Sequence, residues 1–89
     1  MQPEPTLRQL RHFLSLSEHC HFGRAAEACL ITQSSLSASI REMELVLDAQ
    51  LFERTKRVVM LTPLGHDLVE LARDVIARMD ILTEHTKGA

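Results

Sequence analysis

A chain of 89 residues, 45% of them hydrophobic, is one small domain with a single core, and no apolar run in it approaches the ~20 residues that a bilayer span requires. The net charge of −2 supplies no general attraction for phosphates, and three Phe with no Trp or Tyr leave no aromatic platform for stacking single-stranded bases. Charge is unevenly spread, however: Arg54, Lys56 and Arg57 cluster, whereas Asp67, Glu70, Asp74, Asp80 and Glu84 crowd the end, so a nucleic-acid partner would be duplex DNA met by a local basic patch.

Residues 1–5 contain two prolines and no apolar pattern, which predicts a disordered lead. Thr6 followed by Gln9 fits a capping box, in which the Thr hydroxyl accepts from a first-turn N–H and the Gln side chain reaches back to the cap. The helix that follows carries Leu7, Leu10, Phe13 and Leu14 on its apolar face and ends in His19, Cys20 and His21. Gly23 opens a short Ala-rich helix over residues 24–29, where small side chains admit close packing of a neighbour. Leu30 and Ile31 form the break, and Thr32 caps a third helix by accepting from the backbone near Ser34 or Ser35. Its buried stripe is Leu36, Ile40, Met43 and Leu47, at spacings of four, three and four. At about 100° per residue the opposite face carries Ser34, Ala38 and Arg41, with Ser37 at its flank and Gln33 at the amino-terminal tip. Leu45 shares that polar face, and the pattern gives it no role.

From Leu51 to Leu61 the pattern changes to short β-prone runs around Arg54, Thr55, Lys56 and Arg57, which predicts a hairpin with a basic tip. No Gly, Pro, Asn or Asp occupies the tip, so the turn chemistry is poor. Thr62 and Pro63 start the last helix, which can run to about Thr86 and reach ~36 Å at ~1.5 Å per residue. Along it Leu68, Ala72, Val75, Met79 and Leu82 alternate spacings of four and three, as in the seam of a coiled coil. A helix of that length outruns so small a core and calls for a second copy.

The elements add up to a mainly α fold: a winged helix-turn-helix of three helices plus a β-hairpin wing at residues 6–61, then a long dimerisation or linker helix at 62–89. In such folds the recognition helix enters the major groove by its amino-terminal end. Gln33 suits a bidentate contact to adenine, Ser34, Ser35 and Ser37 are short donors, and Arg41 reaches a phosphate or a guanine. Arg54, Lys56 and Arg57 suit the neighbouring minor groove. A run of serines equally describes a solvated helix face. On the residues alone the alternative is a helical dimerisation or adaptor module that binds protein, which the acidic net charge would suit.

His19, Cys20, His21 and Cys29 are metal-ligand types, but adjacent residues seldom converge on one ion and the spacing matches no structural zinc site. Cys29 reads as a small core residue, with a redox role as the alternative. Two cysteines without a paired C-x-x-C, and no apolar leader, fit a reducing cytoplasm. No nucleophile triad, Gly-rich phosphate loop or carboxylate pair stands out, so neither an enzyme nor a cofactor is expected.

Phe22-Gly23-Arg24-Ala25-Ala26-Glu27, Thr32-Gln33, Leu36-Ser37 through Ile40, Met43-Glu44, Leu51-Phe52-Glu53-Arg54 and Leu61-Thr62-Pro63-Leu64-Gly65 resemble, in order, the amino-terminal domain of LysR-type transcription regulators. The likeness covers nearly the whole chain from Leu7. Glu18-His19, His21-Phe22, Arg24-Ala25-Ala26 and Cys29 look most like the peroxide-responsive OxyR branch. The resemblance implies a homodimer formed through the linker helix that recognises interrupted inverted repeats in promoter DNA. It places base contacts at Gln33, Ser34 and Ser37, phosphate contacts around Thr32, Ser35 and Arg41, and a minor-groove contact at Arg57. It also implies a carboxy-terminal effector domain of two α/β lobes beyond Ala89, which would bind the effector ligand and hold any sensing cysteine. Two positions depart from the family pattern. Ser34 stands where Pro is common, and Asp48 stands where Gly is usual, a residue that tolerates the left-handed conformation better than most.

Overall fold

Side-chain caps fix where each helix begins. The computed structural model describes residues 3–55 and 58–88, which form α1 (Leu7–His19), α2 (Phe22–Ala28), α3 (Gln33–Leu47), β1 (Phe52–Arg54), β2 (Val59–Leu61) and α4 (Pro63–Lys87). Thr6 Oγ1 accepts from Gln9 N at 3.0 Å while Gln9 Oε1 accepts from Thr6 N at 2.9 Å, the reciprocal pair that the sequence predicts. Thr32 Oγ1 accepts from Ser35 N at 3.1 Å, and Thr62 Oγ1 accepts from Gly65 N at 3.0 Å while donating to Gln50 O at 2.8 Å. Each cap of this kind contributes about 1 kcal/mol. The start of α2 differs from expectation. The His21 ring is its cap, Nδ1 accepting from Arg24 N at 3.1 Å, so the helix takes in Phe22 and Gly23.

Left-handed residues end two of the helices and turn the chain between α2 and α3. Cys20 (φ 52°) closes α1 and Asp48 (φ 50°) closes α3, where Asp stands in place of a Gly. The third is Leu30 (φ 59°), in the break expected at Leu30 and Ile31 but not expected to be left-handed. A branched apolar side chain in that conformation is strained, and Leu30 is 92% exposed with no packing to offset it.

The core gathers Phe13 and Leu16 of α1, Leu36, Ile40 and Met43 of α3, and Leu51 and Phe52 at the entry to the hairpin, all fully buried. The Phe13 and Phe52 rings meet tilted at 5.6 Å, joining α1 to β1. The stripe expected on α3 is the one that is buried, with Leu47 half-exposed at its end. On α1 the expected stripe is displaced: Leu7, Leu10 and Leu14 are half-buried, while Leu16, Gln9 and His12 go inside with Phe13. The reason is that α1 packs against α2, α3 and α4 and so buries more than one stripe. The buried polar groups have partners. The Gln9 amide donates to Glu42 at 3.3 Å, and His12 Nδ1 stands 2.7 Å from Ser39 Oγ.

β1 and β2 pair antiparallel, Phe52 with Leu61 and Arg54 with Val59. Thr55 N donates to Val58 O at 2.9 Å and Val58 N donates to Thr55 Oγ1 at 3.1 Å, so a Thr hydroxyl supplies the side-chain bonding that Asn or Asp would otherwise supply. Lys56 and Arg57 lie outside the described residues. Helix α4 leaves the hairpin against Leu51, where a Cβ on Gly65 would stand 2.3 Å from Leu51 O; only glycine allows that approach. At 25 residues α4 extends past the core: every described residue from Asp80 on is exposed. Residues 3–6 have no regular secondary structure, and Pro5 among them is half-buried.

Candidate nucleic-acid interface

The amino-terminal end of α3 is built around Thr32. Besides capping the helix, its hydroxyl donates to Ser35 Oγ at 2.8 Å and lies 3.4 Å from Ser34 Oγ, so three hydroxyls stand together at the cap and first turn. Gln33, Ser34 and Ser35 are exposed and Ser37 is half-exposed. Gln33, Ser34 and Ser37 line one shallow concavity of about 510 Å³ together with Phe22, which the sequence marks as part of the family pattern but not as a site residue. Its signal was an aromatic residue directly ahead of Gly23. A Cβ at Gly23 would lie 2.9 Å from His21 Cε1, so the missing side chain makes room for the capping ring, with Gln33 Oε1 at ordinary contact distance, 3.9 Å.

Arg41 is exposed one turn further along, with no ion-pair partner among the described residues. It borders a second concavity of about 510 Å³ with Leu45, Asp48, Gln50 and Arg54. Leu45 is 75% exposed there, in keeping with its place on the polar face.

Arg54 requires a correction. It was expected at the basic tip, yet it closes β1 opposite Val59, and its Nη2 donates to Glu44 Oε1 at 3.0 Å. Its guanidinium lies 5.4 Å from the centre of the Phe22 ring. The pair is half-shielded, with 32% of the Arg54 side chain and 16% of the Glu44 side chain exposed. Arg54 is therefore held at the base of the wing by Glu44 while staying partly exposed, and Lys56 and Arg57, the other two residues of the expected basic tip, lie outside the described residues.

The dimerisation seam needs a similar correction. Ala72 is only 4% exposed and Leu68 is half-buried; both pack on the chain's own core. Val75 and Leu82 are open, and with them Leu64 and Leu71, four residues at spacings of seven, four and seven that share one outer face of α4. Met79 is half-buried on the same strip as Leu68 and Ala72, one turn or more beyond them. One four-three pattern thus straddles two adjoining strips about a sixth of a turn apart. A groove of about 440 Å³ runs beside the outer face, bounded by Leu7, Leu10, Leu47, Leu68 and Leu71. Exposed Leu and Val in a row of this length ask for cover.

The residues that invited a metal site are directed elsewhere. His19 Nδ1 bonds Ser15 O at 2.8 Å, His21 caps α2, Cys20 closes α1, and both cysteines are free.

The profile described as "Bacterial regulatory helix-turn-helix protein, lysR family" matches residues 7–66. The chain belongs to the lysR family. Among curated relatives, the HTH-type transcriptional regulator IlvR of Caulobacter vibrioides is 47% identical over 78 residues, 88% of this chain and 26% of that protein. The DNA-binding transcriptional dual regulator OxyR of Escherichia coli is 42% identical over 78 residues, with the same coverage, 88% and 26%. This lysR-family chain thus spans about a quarter of the length of these relatives. Corynebacterium glutamicum OxyR in its oxidized form superposes with a TM-score of 0.93 at 40% identity, over 96% of this chain and 26% of that one. The DNA-binding domain of BenM, solved with catB site 1 DNA, gives a TM-score of 0.87 at 36% identity over 92% of this chain and 91% of that one. The fold is accordingly a winged helix-turn-helix followed by a long helix.

Proposed function

We propose that the chain is the sequence-specific duplex-DNA reader of a bacterial transcription regulator, a binding module rather than an enzyme, and that it works in the cytoplasm as a homodimer. The observation that carries the reading is the split of α3 into two faces: Leu36, Ile40 and Met43 are buried, while Gln33, Ser34 and Ser37 stand on one open rim at the amino-terminal end. That is the end a helix-turn-helix inserts into the major groove. On this reading Gln33, Ser34 and Ser37 meet base edges, Thr32, Ser35 and Arg41 meet phosphates, and Lys56 and Arg57 of the wing meet the minor groove. The likeness to the BenM domain solved on DNA supports it. Residues 6–61 form the reading unit and 62–89 the dimerising helix, with Leu64, Leu71, Val75 and Leu82 as the seam. An effector ligand would bind a separate carboxy-terminal domain of the regulator.

Two copies joined through α4 present two recognition helices, which fits an interrupted inverted repeat in promoter DNA. The similarity to hydrogen peroxide-inducible genes activators, 44% identical over 78 residues in one case, supports a regulator of oxidative-stress genes. Titration onto duplex DNA at two ionic strengths tests the main reading. A reader that neutralises several phosphates loses affinity steeply as salt rises, and absence of duplex binding at low salt would return the chain to a protein-binding adaptor.

A further inference from the structure

We infer that Glu44 and Arg54 are positioning residues that lock the strands of the wing onto the recognition helix, so that the hairpin strands and the base-reading end of α3 meet DNA in one fixed relative placement. The inference rests on the duplex-binding reading above. One carboxylate gathers the whole entry to the wing: Glu44 Oε2 accepts from Leu51 N at 2.8 Å and Phe52 N at 3.3 Å, and Oε1 accepts from Arg54 Nη2 at 3.0 Å. Hydrogen bonds to an ionised acceptor are short and strong, and these three fix β1 against the carboxy-terminal half of α3. Arg54 then spans to α2, its guanidinium over Phe22, and Phe22 shares its concavity with Gln33, Ser34 and Ser37. The wing is thereby tied to both ends of the recognition helix, Glu44 near one and Phe22 beside the other.

The hairpin needs such a tie. Its strands are three residues each in a two-stranded sheet, and a ribbon that short holds no orientation of its own. Glu44 also places a negative charge close to a surface meant for phosphates. Its Coulombic contribution to DNA binding is unfavourable, so a positioning role and a purely electrostatic one predict opposite signs when the charge is removed.

The test measures duplex affinity, flanking-sequence preference and melting temperature for the chain, Glu44→Gln, Arg54→Ala, Arg54→Lys and the double variant Glu44→Gln with Arg54→Ala, all well below each melting point. Glu44→Gln should weaken specific binding about fivefold or more although it removes a negative charge, and the double variant should lose little more than either single one. Preference for A·T-rich flanks, the wing's readout, should fade while discrimination at the bases read by α3 persists. Arg54→Ala and Glu44→Gln should lower the dependence of affinity on salt to the same degree, although only the first removes a cation, because both release the same wing. If Glu44→Gln does not fold, Arg54→Lys carries the test: it keeps the charge, lacks the planar fork and should also weaken binding.

Equal or tighter binding by Glu44→Gln, additive losses, full affinity in Arg54→Lys, or a salt slope lowered in Arg54→Ala but not in Glu44→Gln would each overturn the inference while leaving duplex binding intact. Failure of the unaltered chain to bind duplex at low salt would instead overturn the DNA reading and this inference with it.

Discussion

His12 Nδ1 lies 2.7 Å from Ser39 Oγ, a polar bridge between α1 and the inner flank of the recognition helix. Burial, reinforced by the positive charge of Arg8, lowers the His12 pKa below its ordinary 6.5. The unfolded chain therefore takes up a proton at higher pH than the folded one. Stability is fully present above about 6.5 and falls as the pH drops from there toward the lowered folded value. Melting curves at pH 7.5 and pH 5.5 should show a loss on acidification that is smaller in His12→Gln. Equal losses in the two proteins would remove His12 from the account.

Leu30 holds a left-handed conformation (φ 59°) while 92% exposed, so its side chain contributes strain without burial. Leu30→Asn should raise stability by about 0.5 to 1 kcal/mol, since Asn tolerates that conformation and avoids the entropy cost of Gly. For a domain of this size that is a shift of a few degrees in Tm, measured by thermal denaturation. A fall in Tm would mean that Leu30 makes contacts that matter to the fold.

Gln33→Ala should cost about 1 to 3 kcal/mol on the preferred duplex and relax discrimination at a single base pair. Competition binding with single-base variants of the site measures both. Unchanged discrimination would show that α3 enters the groove in another register.

The two faces of α4 separate association from folding. Leu71→Asp or Val75→Asp, on the exposed row, should give folded monomers by sedimentation. Ala72→Asp should instead unfold the domain, because a carboxylate would sit unpaired at a position only 4% exposed. Dimers surviving the substitutions at Leu71 and Val75 would move the interface elsewhere.

What the sequence made legible was whatever depends on near neighbours along the chain. The caps at Thr6, Thr32 and Thr62 and the stripe of Leu36, Ile40 and Met43 follow from spacing alone. His21 as a cap was not legible, because histidine is seldom found in that role and only the local geometry brings its Nδ1 to Arg24 N. Arg54 looked like part of the basic tip because its partner Glu44 lies ten residues away, across the turn at Asp48. Ala72 and Leu71 could not be assigned to core or seam from periodicity, since the choice depends on how α4 settles against α1 and β2. The reading face itself, Gln33 with three serines, became more than a polar surface only through the family likeness.

Selection of bound sequences from a random duplex pool, using this chain, tests the central claim most directly. The account predicts enrichment of an interrupted inverted repeat whose half-site centres lie about one helical turn, ~34 Å, or a multiple of it apart, each half-site read by one α3. No enrichment, or enrichment of a single half-site with no symmetric mate, would contradict a dimeric, sequence-specific reader.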